Sequence, residues 1–358
     1  MGRAILTERW GFLGRSVDNS VDNPETSLTE WIEANTGHSG ARIEALLSGG
    51  NSNLTLHIAT HQGPLVLRTP PENTISPKAH RGIEREARVM RALYGKVKVP
   101  EVIGFCADTT VIGRPFLLVS MVDGVSITDT LPAAYASDET AVNRLGEGLI
   151  DELAAIHNVA WQHAGLEGFG KPDGFLARQV ERWREIRASA GGRDLPLIEE
   201  LGTWLASRLP PDPAQTIVHG DYHLDNTLTR RDRPELAAVI DWEMATLGDP
   251  LTDLGLLLMF WGPRSMEPPG FAQVQAVSRF PGAVSRRDLA RRWSERTGIG
   301  LEHLDFYLCF AFWRLAAVVE GAFQLYRKGE IDSEYARGLE YDVPALLAEA
   351  AAAAAGEW

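Results

Sequence analysis

His219, Asp221, Asn226 and Asp241 are polar residues set in an otherwise apolar frame, TIVHGDYHLDNTLTRRDRPELAAVIDWE at 216–243. The flanks at 216–218 and 236–240 read as strands, and the composition of RRDRPE at 230–235 marks a turn. Pairing 227–229 with 238–240 as a hairpin sets Asn226 opposite Asp241 at the open end. A carboxamide oxygen beside a carboxylate makes a hard-oxygen site suited to Mg2+, which keeps several waters and takes only one or two carboxylates. Asp221, five residues before Asn226 in the same loop, can aim a second carboxylate into that space. One carboxylate for a metal and one free to accept a hydroxyl proton is what transfer of a phosphoryl group to an alcohol requires.

The elements that must position these groups follow two patterns. From 42 to 122 the chain alternates with period two, as in Leu54, Leu56 and Ile58, with further strand-like runs at 97–105 and 115–122. One helical stretch interrupts it: Ile83, Ala87, Met90 and Leu93 recur every three to four residues, and Gly95 sits where a helix would end. After Asp123-Gly124 the pattern turns mostly helical, at 138–159, 175–188, 196–208, 250–261, 287–296, 301–328 and 333–354. The AEAAAAAAG run near the end reads as a helix-favouring tail of low information. The expected organisation is an N-terminal helical extension over 1–40, a nucleotide-binding lobe over 41–122, and a helical lobe over 123–358 that carries the polar island. A plan of this kind sets its active site in the cleft between lobes.

HGDYHLDN followed by IDWEMATLGDPLTDLG resembles the aminoglycoside phosphotransferase family, relatives of choline kinases and, more distantly, of protein kinases. The pattern is H-x-D, an Asn five residues after that Asp, and hydrophobic-Asp-aromatic about fifteen residues on. The likeness runs over nearly the whole chain. LSGGNSN, VLRTPP, the AH…REARVM helix and HGDYHLDN resemble a narrower branch, the kinase-like domain fused to acyl-CoA dehydrogenases in animals and its free-standing bacterial relatives. The resemblance implies an α+β, protein-kinase-like bilobal fold, with a small antiparallel sheet and one helix in the first lobe and a larger helical second lobe. It implies Asp221 as catalytic base, Asn226 and Asp241 as holders of Mg2+, and ATP or GTP as donor. The acceptor it implies is a hydroxylated small molecule of hydroxyacyl-CoA type. An aminoglycoside is the alternative acceptor, and a pseudokinase acting as an interaction module is the alternative of another class.

By the same resemblance the first lobe covers the nucleotide. Gly49, Gly50, Asn51, Ser52 and Asn53 form a strand-to-strand turn whose amides can approach phosphate, although Gly-Gly in a hairpin is usually only a turn. Arg68 stands where a lysine is usual; its planar fork can reach Glu86 and phosphate oxygens but differs from an ammonium point charge. Ser120, Met121 and Val122 are expected at the adenine edge. Trp261, Tyr307, Trp313, Arg314 and Glu320 sit where the family builds its acceptor pocket, while aromatics at helical spacing are as a rule core. His223 is left between phosphate contact and solvent, His219 is expected to brace its loop, and His157 to be packing. Asp249 before Pro250 suits a helix cap, and Asp253 either steadies the catalytic loop or favours the helix dipole. Arg286, Arg287, Arg291 and Arg292 read as a solvated face.

Composition narrows the classes. The 358 residues carry 35 Lys plus Arg against 48 Asp plus Glu, a formal net charge of −13. A chain this acidic is a poor grip for nucleic acid or anionic lipid, so neither is expected as a partner. Bulk charge suits a polycationic aminoglycoside, but says little about one pocket. Cys106 and Cys309 stand far apart with no C-x-x-C, which supports neither a disulfide framework nor a zinc knuckle. The apolar stretches at 254–262 and 308–319 fall short of the roughly 18 residues that span a bilayer, and the first sixteen residues hold no secretory apolar core. A cytoplasmic protein is expected. P-loop, zincin and α/β-hydrolase motifs find no match.

Overall fold

The computed structural model describes residues 24–49, 53–71, 77–190, 192–211, 214–263 and 274–358. The chain divides into two compact units, one reaching Tyr94 and including Val99–Val122, the other made of Gly95–Lys98 and Asp123–Trp358.

The first unit is built on an antiparallel sheet of β1 (Arg42–Gly49), β2 (Leu54–Ala59), β3 (Leu65–Thr69), β4 (Val102–Cys106) and β5 (Phe116–Ser120), in the order β1-β2-β3-β5-β4. The strand expected over 97–105 begins only at Val102, because Pro100 has no N–H to give a ladder. Lys98 instead accepts the Val239 amide at 2.7 Å within the second unit. Alternation in β3 puts Leu65, Leu67 and Thr69 inside and turns Val66 and Arg68 to the opposite face. Helix α1 (Pro24–Thr36) inserts Leu28 and Ile32, four residues apart, into the core of Leu56, Ile58, Leu65, Leu67 and Phe116. Trp31 meets Phe116 edge-on with ring centroids 4.9 Å apart. Each aliphatic side chain buried there contributes about 1.5–3 kcal/mol. Helix α2 (Pro77–Leu93) packs against β4 and β5 through a row that includes Ile83, Ala87 and Met90, and carries Glu86 to Arg68.

The second unit holds α3 (Ala141–His157), α4 (Phe175–Ala190), α5 (Pro196–Ser207), α6 (Leu251–Phe260), α7 (Arg286–Thr297), α8 (Leu304–Arg327) and α9 (Glu334–Ala354). Helical periodicity alone anticipates all of these to within a few residues. Two small antiparallel pairs join them: β6 (Thr216–Val218) with β9 (Thr246–Gly248), and β7 (Thr227–Thr229) with β8 (Leu236–Val239). Helix α8 is the hub, packed by α4, α5, α6 and α9. It is long and apolar enough to cross a membrane by length and composition, beyond the twelve-residue run visible by eye, yet 72% of its most apolar window is buried inside the protein. The alanine-rich end is no idle tail: α9 lies along α8 and buries Leu339, Val343, Leu346, Ala350 and Ala353.

Every residue of α6 is buried, so its neighbours must come close on all sides. At Gly255 a Cβ would stand 2.8 Å from the carbonyl oxygen of Tyr307 in α8, a backbone atom that cannot swing aside. Replacing Gly255 with Ala should therefore cost about 1–3 kcal/mol. In α8 a Cβ at Gly321 meets nothing within 4 Å, and Gly321→Ala should instead add about 0.4–1 kcal/mol. Chemical denaturation midpoints of the two variants check the pair; equal stability of Gly255→Ala and the parent protein would contradict the close crossing.

Candidate active site

The loop 219–226 runs from β6 to β7, and its shape is set by groups that enter from three helices. Gly220 adopts φ 85°, and a Cβ there would lie 2.8 Å from the Met244 carbonyl oxygen, so the turn into Asp221 needs glycine twice over. The Asp253 carboxylate, on the first turn of α6, accepts the His219 amide at 2.7 Å and the Gly220 amide at 2.8 Å. Behind it, His157 Nε2 lies 3.4 Å from Asp253 Oδ2, and Trp293 donates its indole N–H to His157 Nδ1 at 3.1 Å. That donor leaves Nε2 as the protonated nitrogen, aimed at Asp253. All three side chains are buried. His157 is thus more than packing, and Asp253 steadies the loop rather than merely favouring a dipole.

His219 is a brace. Its Nε2 donates to the Ile240 carbonyl at 3.0 Å, its Nδ1 faces the Asp221 amide at 3.3 Å, and its ring lies 4.6 Å from that of Trp242. Complete burial pushes its pKa down, although Asp253 and the Ile240 carbonyl act the other way; the neutral form with one donor fits these partners. Two further struts were given no role by the motif, one of them outside it. Gln275, fully buried and left-handed at φ 51°, accepts the Leu224 amide at 2.8 Å and gives its own amide to Asp225 Oδ1 at 3.1 Å. Tyr222 donates to the Leu149 carbonyl at 2.8 Å. Gln275 lies about fifty residues beyond the loop in a stretch without periodicity, so no spacing signal could have found it.

The chemistry-bearing side chains gather on this frame. Asn226 Nδ2 donates to the Asp221 carbonyl and to Asp221 Oδ2, both at 2.9 Å. Both partners are acceptors, so the amide nitrogen must face them and the carbonyl oxygen Oδ1 is turned the other way. His223 Nε2 stands 3.6 Å from Asp221 Oδ1, and its Nδ1 3.8 Å from Asp225 Oδ1. Burial acts to lower the His223 pKa, but the two carboxylates raise it to about 9; burial acts to raise that of Asp221, but His223 with His219 and Asn226 holds it to about 2. At neutral pH His223 is therefore an imidazolium beside Asp221, which is ionised and has its side chain 46% exposed.

The hairpin differs from expectation by one register step. Thr227 pairs with Val239 and Leu228 with Ala238, and the Ile240 amide donates to the Asn226 carbonyl at 3.0 Å. Asn226 therefore faces Ile240, not Asp241. Asp241 follows in the left-handed region at φ 67°, ψ 57°, a conformation that Asp tolerates better than most residues. Among the described residues no group of three or more His, Cys, Asp and Glu stands ready for a metal. Any divalent ion here would take at most a few protein donors, and Asn226 and Asp241 supply hard oxygens of the type Mg2+ prefers.

The expected acceptor contacts are placed in the core. Trp261 and Trp313 are fully buried and give their indole N–H groups to the Val284 and Ile198 carbonyls at 2.9 and 2.8 Å. Tyr307 donates to Asp249 Oδ2 at 2.5 Å, and Glu320 is buried against Arg193 at 2.7 Å. Each of their polar ends is committed inside the protein. Arg314 alone of that group reaches the loop, giving Nη2 to the Gly220 carbonyl at 3.3 Å.

In the first unit Arg68 Nη1 meets Glu86 Oε1 at 3.1 Å, the pairing expected of them. Gly49 ends β1 opposite Leu54, and Asn53 directly precedes β2; Gly50, Asn51 and Ser52 lie outside the described residues. The amide of Ser120 is spent on the Glu101 carbonyl at 2.8 Å and that of Met121 reaches the Pro64 carbonyl at 3.4 Å. Of that segment, Val122 keeps a backbone N–H with no partner among the described residues.

Asp249 links β9 to α6, the helix that carries Asp253, and gives a titration test of this frame. Burial raises its pKa to about 6, against the bonds from Tyr307 and the Leu251 amide. A carboxyl whose folded pKa exceeds its unfolded value contributes stability that is full below about 4 and is lost as pH rises through about 6. The shift corresponds to about 3 kcal/mol. Asp249→Asn should flatten the melting temperature between pH 4 and 7, where the parent protein declines. A decline of the same size in the variant would contradict this reading of Asp249.

Comparison with known proteins places this site in a family. A family model described as the phosphotransferase enzyme family, APH, matches residues 44–288. Acyl-CoA dehydrogenase family member 10 of Mus musculus is 33% identical over 329 residues, covering 90% of this chain and 30% of the mouse protein. Family member 11 of Homo sapiens is 32% identical over 320 residues, covering 86% of this chain and 40% of the human protein. The chain thus spans well under half the length of these relatives. A crystal structure from Ralstonia eutropha JMP134, described as a candidate aminoglycoside phosphotransferase, superposes with a TM-score of 0.78 at 28% identity, over 92% of this chain and 98% of that one. The mixed α+β architecture is that of these kinase-like enzymes, and the chain belongs to the APH phosphotransferase enzyme family.

Proposed function

We propose that the protein is an ATP- and Mg2+-dependent kinase that phosphorylates a hydroxyl group of a small molecule. The observation that carries this reading is Asp221. It is an ionised, half-exposed carboxylate on a loop clamped by Asp253, Gln275 and Tyr222, with Asn226 and His223 fixing its orientation. Membership of a phosphotransferase family supports it independently.

Asp221 accepts the hydrogen of the acceptor hydroxyl and holds its oxygen in line for attack. With a pKa of about 2 it is a weak base, so its first work is orientation, and the proton passes as the new bond makes that oxygen acidic. The acceptor oxygen bonds to the γ-phosphorus, the bond from that phosphorus to the bridging oxygen breaks, the proton moves to Asp221, and ADP leaves. Asn226, through its carbonyl oxygen, and Asp241 would hold Mg2+, which when bound offsets the negative charge of the phosphates. Their donor set fits that ion, because both amide hydrogens of Asn226 are engaged by Asp221 and its oxygen is left for a cation. In the first unit Arg68, oriented by Glu86, is the proposed phosphate contact, with the turn at 49–53 and the 120–122 segment as the proposed nucleotide holders.

The test is ADP release with Mg2+ and ATP over a panel of hydroxylated acceptors. Asp221→Asn should lower turnover by about 10²–10⁴-fold, while the dissociation constant of the nucleotide moves by less than about threefold. Turnover near that of the parent protein would overturn the role of Asp221, and equal loss of nucleotide binding would make it structural.

A further inference from the structure

Helices α4 and α8 pack together and bring two arginines to one tryptophan beside the catalytic loop. The guanidinium carbon of Arg314 lies 5.8 Å from the ring centre of Trp183, and that of Arg182 lies 5.3 Å from it. Arg314 is anchored by its bond to the carbonyl of Gly220, the residue before Asp221, and is close enough to feel both Asp221 and Arg182 electrostatically. Among the described residues neither Arg182 nor Arg314 has a carboxylate within 4.0 Å, although other arginines of this unit do: Arg193 meets Glu320 at 2.7 Å and Arg292 meets Asp151 at 2.7 Å. Two like charges at one ring repel, and although Asp221 and Asp253 both act favourably on Arg314 from a distance, neither is in direct contact with it, so its fork is left without a bidentate anion.

We infer that this pair is the anion subsite of the acceptor: the hydroxylated substrate carries a carboxylate or phosphate group that Arg314 and Arg182 hold while its hydroxyl faces Asp221. The inference rests on the kinase reading above and adds the chemical class of its acceptor. Guanidinium forks match the planar oxygens of carboxylate and phosphate with parallel hydrogen bonds. Both guanidinium groups lie at the Trp183 ring and Arg314 is tied to the Gly220 carbonyl, so part of its side-chain freedom is already lost before binding. The same two charges turn away a polycation, since like charges brought together without a counterion repel one another. An aminoglycoside is therefore a poor acceptor here despite the acidic composition of the chain.

The test uses the full chain and ADP release at saturating Mg2+ and ATP. Its probes are 3-hydroxybutyrate against its methyl ester, glycerol 3-phosphate against glycerol, and kanamycin. At least one anion should exceed its neutral partner by about tenfold or more in kcat/KM, and which one does so tells carboxylate from phosphate. Arg314→Gln and Arg182→Gln should each shrink that ratio towards one, mainly through KM, and Arg314→Lys should restore part of it. The ratio is taken within one protein, so a general loss from the contact of Arg314 with Gly220 cancels. Equal use of charged and neutral probes, a ratio unchanged in both Gln variants, or preference for kanamycin would overturn the inference and leave the kinase reading standing. If no probe is phosphorylated, thermal melting with a non-hydrolysable ATP analogue and Mg2+ decides. A shift by an anion and not by its neutral partner, lost in the Gln variants, supports the subsite; no anion-specific shift overturns it. Failure of the kinase reading shows separately, as no shift with the nucleotide itself.

Discussion

One buried carboxylate sets the geometry of the loop 219–226. Asp253 takes the amides of His219 and Gly220 on its two oxygens, and it is itself aligned by His157, whose tautomer is set by the indole of Trp293. Three helices, α3, α6 and α7, thereby converge on two consecutive backbone amides. A buried carboxylate would be costly without such donors; with them it forms charge-assisted bonds, roughly twice as strong as neutral ones. The direction in which Asp221 leaves the loop follows, because Gly220 is held on one side by Asp253 and on the other by the overlying Met244.

The rest of the site is a set of polar groups each used from both ends. His219 gives one nitrogen to the strand end at Ile240 and turns the other to Asp221; Gln275 gives its amide to Asp225 and takes that of Leu224. Asp241 and Gln275 are the non-glycine residues with positive φ among those described, and both lie at this loop. Left-handed backbone of this kind costs of order 1 kcal/mol or more per residue and persists where surroundings over-determine it. Rigid support of a half-exposed carboxylate is what positioning an acceptor demands, since phosphoryl transfer gains most from alignment and charge placement.

Much of this was legible in the sequence. Periodicity placed the helices of the second unit and the sheet of the first, and the spacing of His219, Asp221 and Asn226 marked the loop. What it missed has physical reasons. The hairpin register slipped by one because a left-handed residue at Asp241 and an irregular step at Thr229 alter the pairing, and neither has a spacing signature. Trp261, Tyr307 and Trp313 stood between pocket and core, with core the commoner reading for aromatics at helical spacing; their polar ends are satisfied within the core, which only three-dimensional partners reveal. Gln275 and the Arg182–Trp183–Arg314 grouping join residues far apart in sequence, so their meaning arises only on folding. In the 120–122 segment the amide of Ser120 is taken by the Glu101 carbonyl and that of Met121 by the Pro64 carbonyl, a use of backbone donors that side-chain patterning does not reveal.

The proposed kinase activity requires Asn226 and Asp241 to complete a metal-assisted nucleotide site around Asp221. Thermal melting tests it most directly, with ATP and Mg2+ added singly and together to the parent protein and to Asp241→Asn. At about 100 times Kd the pair should stabilise the parent by roughly 2.7 kcal/mol, neither component alone should do so, and the variant should lose most of the effect. No shift at millimolar nucleotide, or an equal shift in Asp241→Asn, would contradict the account.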